Sequence, residues 1–117
     1  MAKILKKIKN FLWKYIPDHS HPTYKLVYCG DVPGTFNKET IYILGSNKFP
    51  WQIAFLCPCN CGDLIQLNLL KEARPSWNFK VDKRKKITLK PSVWRKVGCK
   101  SHFLVQKGRI VWVTARD

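Results

Sequence analysis

Apolar and polar residues alternate along most of the chain with the period of short β-strands. The alternation is clearest in LIQLNLL, where Ile65, Leu67 and Leu69 fall on one face and the residues between them on the other. Near the end of the chain, QKGR places Gly108 where a tight hairpin joins the last two strands. The predicted strands are YKLVYC, ETIYILG, WQIAFLC, LIQLNLL, NFKVD, ITL, HFLVQ and RIVWVT. The pattern predicts a mainly β fold.

The N-terminal segment follows a helical period instead. In AKILKKIKNFLWKYI, residues 2–16, apolar residues recur at helical spacing and lysines fill the remaining arc, which predicts a basic amphipathic helix. Two prolines bracket the following PDHSHP, residues 17–22, and predict a linker. The predicted organisation is a helix with its linker over 1–22 and one β-rich domain over 23–117. Such a helix can contact an anionic membrane surface, a groove of a partner, or the domain's own core.

The charge of the chain indicates an anionic partner. Lys and Arg number 22 against 7 Asp and Glu, for a formal net charge of +15 over 117 residues. A field of this sign attracts nucleic acid, an acidic membrane or an acidic protein surface. The lysines and arginines of the C-terminal half, interleaved with tryptophans, leave a nucleic-acid surface as one alternative. Few carboxylates remain for acid and base chemistry.

The cysteines point to a reduced compartment. Their number, 5, is odd, and lysines interrupt the apolar residues of the N-terminus, so we expect neither a secretory signal nor a transmembrane segment. The expected location is the cytoplasm, where clustered cysteines more often bind metal or react than form disulfides.

Three cysteines at alternate positions of FLCPCNCGD cannot share a metal on a straight strand. In an extended chain Cys57 and Cys61 would lie about 13 Å apart at a rise of roughly 3.3 Å per residue. Sulfurs around one zinc ion lie about 4 Å apart, given zinc to sulfur distances near 2.3 Å. The chain is therefore predicted to turn within CPCNCG into a zinc knuckle, and Pro58, Asn60 and Gly62 are residue types that permit a turn.

The remaining ligands are expected from GCKSH, which offers Cys99 and His102 in a C-x-x-H spacing. The five candidates for four positions around Zn²⁺ are Cys57, Cys59, Cys61, Cys99 and His102. Cys29 is interpreted as a small side chain of the core. If only cysteines bind the metal, the site is closed and His102 is available for other chemistry; three protein ligands would instead leave room for a reactive water.

Serines and a histidine in TLKPSVWRKVGCKSHF are the types that form a hydroxyl nucleophile with an imidazole base. Ser101 and His102 are adjacent and would point to opposite faces of a regular strand, so Ser92 is the better partner for His102. Asp63, beside the cysteines, is a candidate to orient the histidine or to act as a base near a metal-bound water. The catalytic candidates are therefore His102, Ser92, Ser101 and Asp63, although Ser92 after a proline is also an ordinary turn residue.

Four segments, AFLCPCNCGDLIQLNLL, RPSWNF, ITLKPSVW and GCKSHFLVQKGRIVWV, resemble in order a family of small bacterial proteins known as a domain of unknown function. The resemblance covers roughly residues 24–114, and Asn60 stands where that family more often has glycine. Members look like companions of bacterial ubiquitin-like conjugation genes. The resemblance implies a zinc-supported peptidase that processes or deconjugates a ubiquitin-like protein, with that protein and its conjugation enzymes as partners. A non-catalytic zinc module that binds protein or nucleic acid is the alternative.

Overall fold

A computed structural model describes residues 13–17 and 23–115 of the chain, and these residues contain ten β-strands. The strands are β1 (Trp13–Pro17), β2 (Lys25–Cys29), β3 (Thr40–Gly45), β4 (Pro50–Leu56), β5 (Leu64–Asn68), β6 (Asn78–Val81), β7 (Ile87–Lys90), β8 (Val93–Trp94), β9 (His102–Gln106) and β10 (Arg109–Ala115). All eight strands expected from the sequence are present at the predicted places. The mainly β fold is confirmed.

The strands form two four-stranded sheets and one hairpin. Sheet A has the order β1-β10-β9-β8 and is antiparallel, while sheet B has the order β2-β3-β4-β5, with only β2 and β3 parallel. The hairpin of β6 and β7 follows β5 in sequence and leads directly into β8. The strand β8 lies at an edge of sheet A, and β5 lies at an edge of sheet B. The loop from β8 to β9 and the turn from β4 to β5 contain the cysteines described below.

The turn between β9 and β10 connects the separate sheets. Lys107 and Gly108 both have positive φ, 49° and 76°, as the two-residue hairpin turns that match strand twist require. The Gly108 amide donates a hydrogen bond to the carbonyl of Ile87 in β7, and its carbonyl accepts one from Tyr24. A Cβ at Gly108 would lie 2.5 Å from a methyl carbon of Thr23, so glycine is needed here for space as well as for φ.

The core lies where the inner faces of the sheets meet. Phe55 of β4 and Phe103 of β9 are both fully buried and make a T-shaped contact with ring centroids 6.1 Å apart. The alternation in β5 is confirmed, because Ile65, Leu67 and Leu69 are all buried. The other buried members of this core are Tyr24, Ile41, Ile43, Ile53, Cys57, Ile87, Leu89, Val93, Val105 and Ile110.

The predicted N-terminal helix is wrong for its last residues. Trp13–Pro17 is the strand β1, which pairs with β10 in antiparallel register from Trp13 opposite Ala115 to Pro17 opposite Val111. The edge of β10 supplies backbone partners, and aromatic and β-branched residues favour a strand once such partners exist. The rest of the predicted helix and linker, residues 1–12 and 18–22, lies outside the described residues. In the described ranges, no helix is long and apolar enough to cross a membrane.

Candidate functional site: a cysteine cluster beside a serine and a histidine

The chain turns through its three closely spaced cysteines as soon as β4 ends. The Asn60 amide donates to the Cys57 carbonyl at 3.1 Å, and the Cys57 amide donates to the Asp63 carbonyl at 2.9 Å. Asn60 and Gly62 have φ of 67° and 88°, a left-handed conformation that glycine and asparagine adopt at low cost. The predicted turn is confirmed, and asparagine can stand in a position that otherwise suits glycine.

A fourth cysteine completes the cluster from the other sheet. Cys99 lies in the loop between β8 and β9, and the four sulfurs of Cys57, Cys59, Cys61 and Cys99 lie within 4.8 Å of one another. The Cys57 sulfur is 3.4 Å from that of Cys59 and 3.7 Å from that of Cys99. A tetrahedral zinc site with zinc to sulfur distances near 2.3 Å requires sulfurs about 3.8 Å apart. The cluster could therefore hold a metal ion with sulfur ligands alone.

The fifth ligand candidate, His102, and the fifth cysteine, Cys29, both lie outside the cluster. His102 is not a member of this group of possible ligands, in which the described part of the chain places only cysteines. Cys29 is half-buried against the small cluster of Tyr42, Leu44 and Ala54 in sheet B. The cysteine-only alternative from the sequence is thus the one that fits the geometry.

The thiols of the cluster differ in their tendency to ionise. Burial raises the pKa of Cys57 to about 12, whereas the hydrogen bond with the Ser101 hydroxyl lowers the pKa of Cys99 to about 6. Metal-bound cysteines are thiolates, and a coordinated cation removes the proton of a thiol that would otherwise keep it. A cation at the centre of the cluster would therefore stabilise the ionised form of the buried Cys57.

Arg95 places a positive charge against the cluster. Its Nη1 lies 3.7 Å from the Cys61 sulfur, 3.6 Å from the Cys99 sulfur and 3.2 Å from Oδ2 of Asp63. Four thiolates around a divalent cation carry a net charge of about −2, which a neighbouring guanidinium partly offsets. Asp63 lies beside the cysteines, as expected from the sequence, and its carboxylate forms an ion pair with Arg95.

The second half of the site is a serine bonded to a histidine. Oγ of Ser92 and Nε2 of His102 are 2.8 Å apart, a hydrogen-bonding distance. Ser92 lies in the short connection between β7 and β8, and His102 begins β9, which pairs with β8. Trp77 donates from its indole nitrogen to the Ser92 carbonyl at 3.3 Å and so holds the backbone of the connection.

The structure separates the two serines that the sequence left as alternatives. Ser101 Oγ is 3.2 Å from the Cys99 sulfur and belongs to the cysteine cluster. Ser101 precedes His102 at the start of β9, so the two side chains point in different directions, as expected for consecutive residues of an extended chain. Ser92 is therefore the serine that contacts the imidazole.

The surroundings of His102 keep it uncharged and in reach of a ligand. Burial lowers the pKa of His102 below its ordinary value of 6.5, so the neutral imidazole prevails at neutral pH. Ser92 and His102 lie in an open cleft of about 310 Å³ that Tyr15, Leu104 and Val113 complete. A hydroxyl bonded to a neutral imidazole in an accessible cleft is the arrangement that nucleophilic acyl transfer requires.

Two further residues of the site were not identified as functional from the sequence. The Trp94 ring stacks on the His102 imidazole with centroids 4.7 Å apart and planes 5° from parallel, and Arg95 contacts the cysteine cluster. In the sequence both belong to the basic and aromatic C-terminal half, whose composition by itself suggests a nucleic-acid surface. Their positions two and three residues beyond Ser92, opposite His102 and Ser101 of GCKSH, were the available signal, since β8 and β9 pair antiparallel.

One comparison with known proteins gives a match. The family model described as "Bacterial ubiquitination-like system serine protease (BubE)" matches residues 28–113, a range that contains all four clustered cysteines, Ser92 and His102. Comparison with curated proteins and with solved structures gave no match. The matched range is most of the chain and nearly the same as the range of the resemblance seen in the sequence.

Proposed function

Because the chain belongs to the family of bacterial ubiquitination-like system serine proteases, we propose that Ser92 is its nucleophile and His102 its general base. The family assignment makes the chain a serine protease of such a system and implies ubiquitin-like partners. The observation that supports the two roles is the 2.8 Å hydrogen bond between Ser92 Oγ and His102 Nε2. The other serine considered, Ser101, is bonded to Cys99.

The proposed reaction is acyl transfer in two steps. Ser92 Oγ attacks the scissile carbonyl carbon while Nε2 of His102 takes the hydroxyl proton, and His102 then gives this proton to the departing amine as the C–N bond breaks. A water molecule next attacks the Ser92 ester and loses a proton to His102. His102 returns this proton to Ser92 Oγ as the bond from Oγ to the acyl carbon breaks, and the acid is released. Both steps need a neutral imidazole, the form that burial favours here.

The cluster of Cys57, Cys59, Cys61 and Cys99 is proposed to hold one Zn²⁺ with a structural role. Four sulfurs within 4.8 Å of one another can occupy all four coordination positions of a tetrahedral zinc ion. No position would then remain for a substrate or a water. Zinc bound there would fix the loop before β9 to the turn after β4, because Cys99 belongs to sheet A's loop and the others to sheet B's turn. His102 is thereby proposed as a base rather than a ligand.

The substrate is proposed to be a ubiquitin-like protein whose C-terminal tail is trimmed or released from a conjugate. An extended tail can add as a strand to the edge of a sheet, and β8, the edge strand of sheet A, follows Ser92 directly. The net charge of +15 favours an acidic face on the body of this substrate. Conjugation enzymes of the same system are the further partners that we propose.

The function is tested by incubating the protein with a ubiquitin-like protein of its own system that carries a C-terminal extension, and following the product mass. We expect one cleavage at the junction and no requirement for an added metal beyond that bound on purification. The alternative is a zinc-bearing adaptor. Binding of the ubiquitin-like protein, or of duplex DNA with a steep salt dependence, without cleavage under any condition would favour that alternative and contradict the protease assignment of the site.

The pH dependence of cleavage should report His102. The base form is lost when the imidazole binds a proton, so kcat/KM falls as the pH decreases through the pKa of His102. Since burial lowers this pKa, we expect the midpoint of the acidic limb below the ordinary value of 6.5. Initial rates over a pH series at constant ionic strength, with the folded state checked at each pH, measure the midpoint. A midpoint above that value would contradict a buried, uncharged base.

A further inference from the structure

The β8 and β9 strands connect the cysteine cluster to the Ser92–His102 pair through alternate residues. Trp94 lies opposite His102 in the strand pairing, and the Arg95 amide donates to the Ser101 carbonyl at 2.8 Å. Arg95 and Ser101 both bond to the Cys99 sulfur, at 3.6 and 3.2 Å, while Trp94 and His102 stack on each other. Arg95 and Ser101 therefore anchor the two strands to the cluster. Trp94 and His102 form the second pair, which contains the proposed base.

Trp94 is half-exposed and nevertheless stacks on the imidazole of His102. Its side chain is 47% exposed, so it adds little to the core, yet its ring lies within 5° of the plane of the imidazole at a centroid distance of 4.7 Å. Lys96 Nζ also lies over the indole, 4.8 Å from its centroid. The indole thus covers one face of the His102 ring. The backbone of Trp94 is held by the pairing of β8 with β9 and by the contacts of the neighbouring Arg95.

We propose that Trp94 is a positioning residue, which holds the His102 imidazole in the ring plane from which Nε2 reaches Ser92 Oγ. The proposal rests on the catalytic roles assigned above to Ser92 and His102. A parallel stack restricts rotation about the bond between Cβ and the imidazole, which otherwise has a broad range. The cysteine cluster contributes indirectly, because Arg95 and Ser101 hold the backbone from which both rings project.

The consequence is a defined kinetic effect. Without the indole the imidazole gains rotational freedom, so less of the enzyme has Nε2 within bonding distance of the serine, and kcat falls by about 10- to 100-fold. The substrate tail is proposed to pair with the backbone of β8, which Trp94→Ala leaves in place, so KM is expected to change by less than about twofold. A phenyl ring at position 94 can also stack on an imidazole and should restore most of kcat.

The test compares Trp94→Ala, Trp94→Phe and Trp51→Ala with the unmodified protein, measuring kcat and KM on the extended ubiquitin-like substrate and the melting temperature of each. Trp51 is the matched control, since it is also a partly exposed tryptophan, at 37%, and lies in β4 of the other sheet. We expect a low kcat with unchanged KM only in Trp94→Ala, with most of kcat recovered in Trp94→Phe.

The outcomes separate the two levels of the proposal. If the unmodified protein and Trp51→Ala both cleave and Trp94→Ala retains their kcat, Trp94 does not position the base. Equal losses in Trp94→Ala and Trp94→Phe, or a loss confined to KM, would likewise overturn the positioning role. If the unmodified protein itself does not cleave, the protease function proposed for Ser92 and His102 fails instead.

Discussion

Replacing Ser92 with alanine is expected to reduce cleavage by about 10⁴-fold or more while the protein stays folded, because the nucleophile of a serine protease cannot be substituted by a neighbouring group. His102→Ala should cause a comparable loss. The double variant should be no worse than either single one, since the two side chains act as a unit across their 2.8 Å hydrogen bond. The measurements are kcat/KM on the extended ubiquitin-like substrate and the thermal melt of each variant.

Ser101→Ala is the matched control for the nucleophile. Ser101 precedes His102 in the chain, but its hydroxyl is bonded to Cys99, 3.2 Å away, and not to the imidazole. Removal of the Ser101 hydroxyl should lower kcat/KM by less than about tenfold, because this hydroxyl contacts Cys99 and takes no part in the proposed reaction. Loss of activity in Ser101→Ala together with activity in Ser92→Ala would reverse the assignment and contradict the account.

Removal of the zinc ion proposed for the four-cysteine cluster should unfold the protein. The four cysteines connect the turn after β4 in sheet B to the loop before β9 in sheet A, and Cys57 is also buried in the main core. Structural zinc sites contribute about 10–16 kcal/mol of apparent binding free energy at neutral pH, which is comparable to the whole stability of a small domain. Chelation, or Cys57→Ser, is therefore expected to abolish the cooperative thermal transition and the protease activity together.

The control for this prediction is Cys29→Ser. Cys29 lies in β2, packed against the separate small cluster of Tyr42, Leu44 and Ala54, and takes no part in the four-cysteine group. This variant should retain about one zinc per chain and a melting temperature close to that of the unmodified protein, by mass spectrometry of metals and by calorimetry. A chelated protein that melts as the untreated one does would contradict the structural role of the metal.

Most of the fold was predictable because it depends on local alternation. In β5, for example, the buried Ile65 and Leu67 alternate with outward residues, and such a pattern is visible in a few consecutive letters. The turn through the cysteines was also predictable, since the distance between Cys57 and Cys61 on a straight strand is too long for one metal ion. Both inferences use only bond geometry and near neighbours in sequence.

The features that the sequence predicts wrongly or leaves undecided depend on contacts between residues that are distant in sequence. Trp13–Ile16 has a helical spacing of apolar residues, but pairing with β10 nearly 100 positions later makes it a strand. Likewise, the sequence allows His102 to be either a metal ligand or the base for a serine. Only the pairing of β8 with β9 shows that His102 contacts Ser92. The stacking of Trp94 on His102 has the same origin, since antiparallel register is not encoded by either residue alone.

Ser92, activated by His102, is proposed as the nucleophile, and a covalent probe can identify it. The folded protein is treated with a fluorophosphonate, which reacts covalently with activated serine hydroxyls, and the adduct is located by peptide mass spectrometry. We expect one adduct per chain, on Ser92, and strongly reduced labelling in His102→Ala. An adduct on Ser101 or on another serine, or cleavage of the substrate by protein whose Ser92 is fully labelled, would contradict the assignment of Ser92 as the nucleophile.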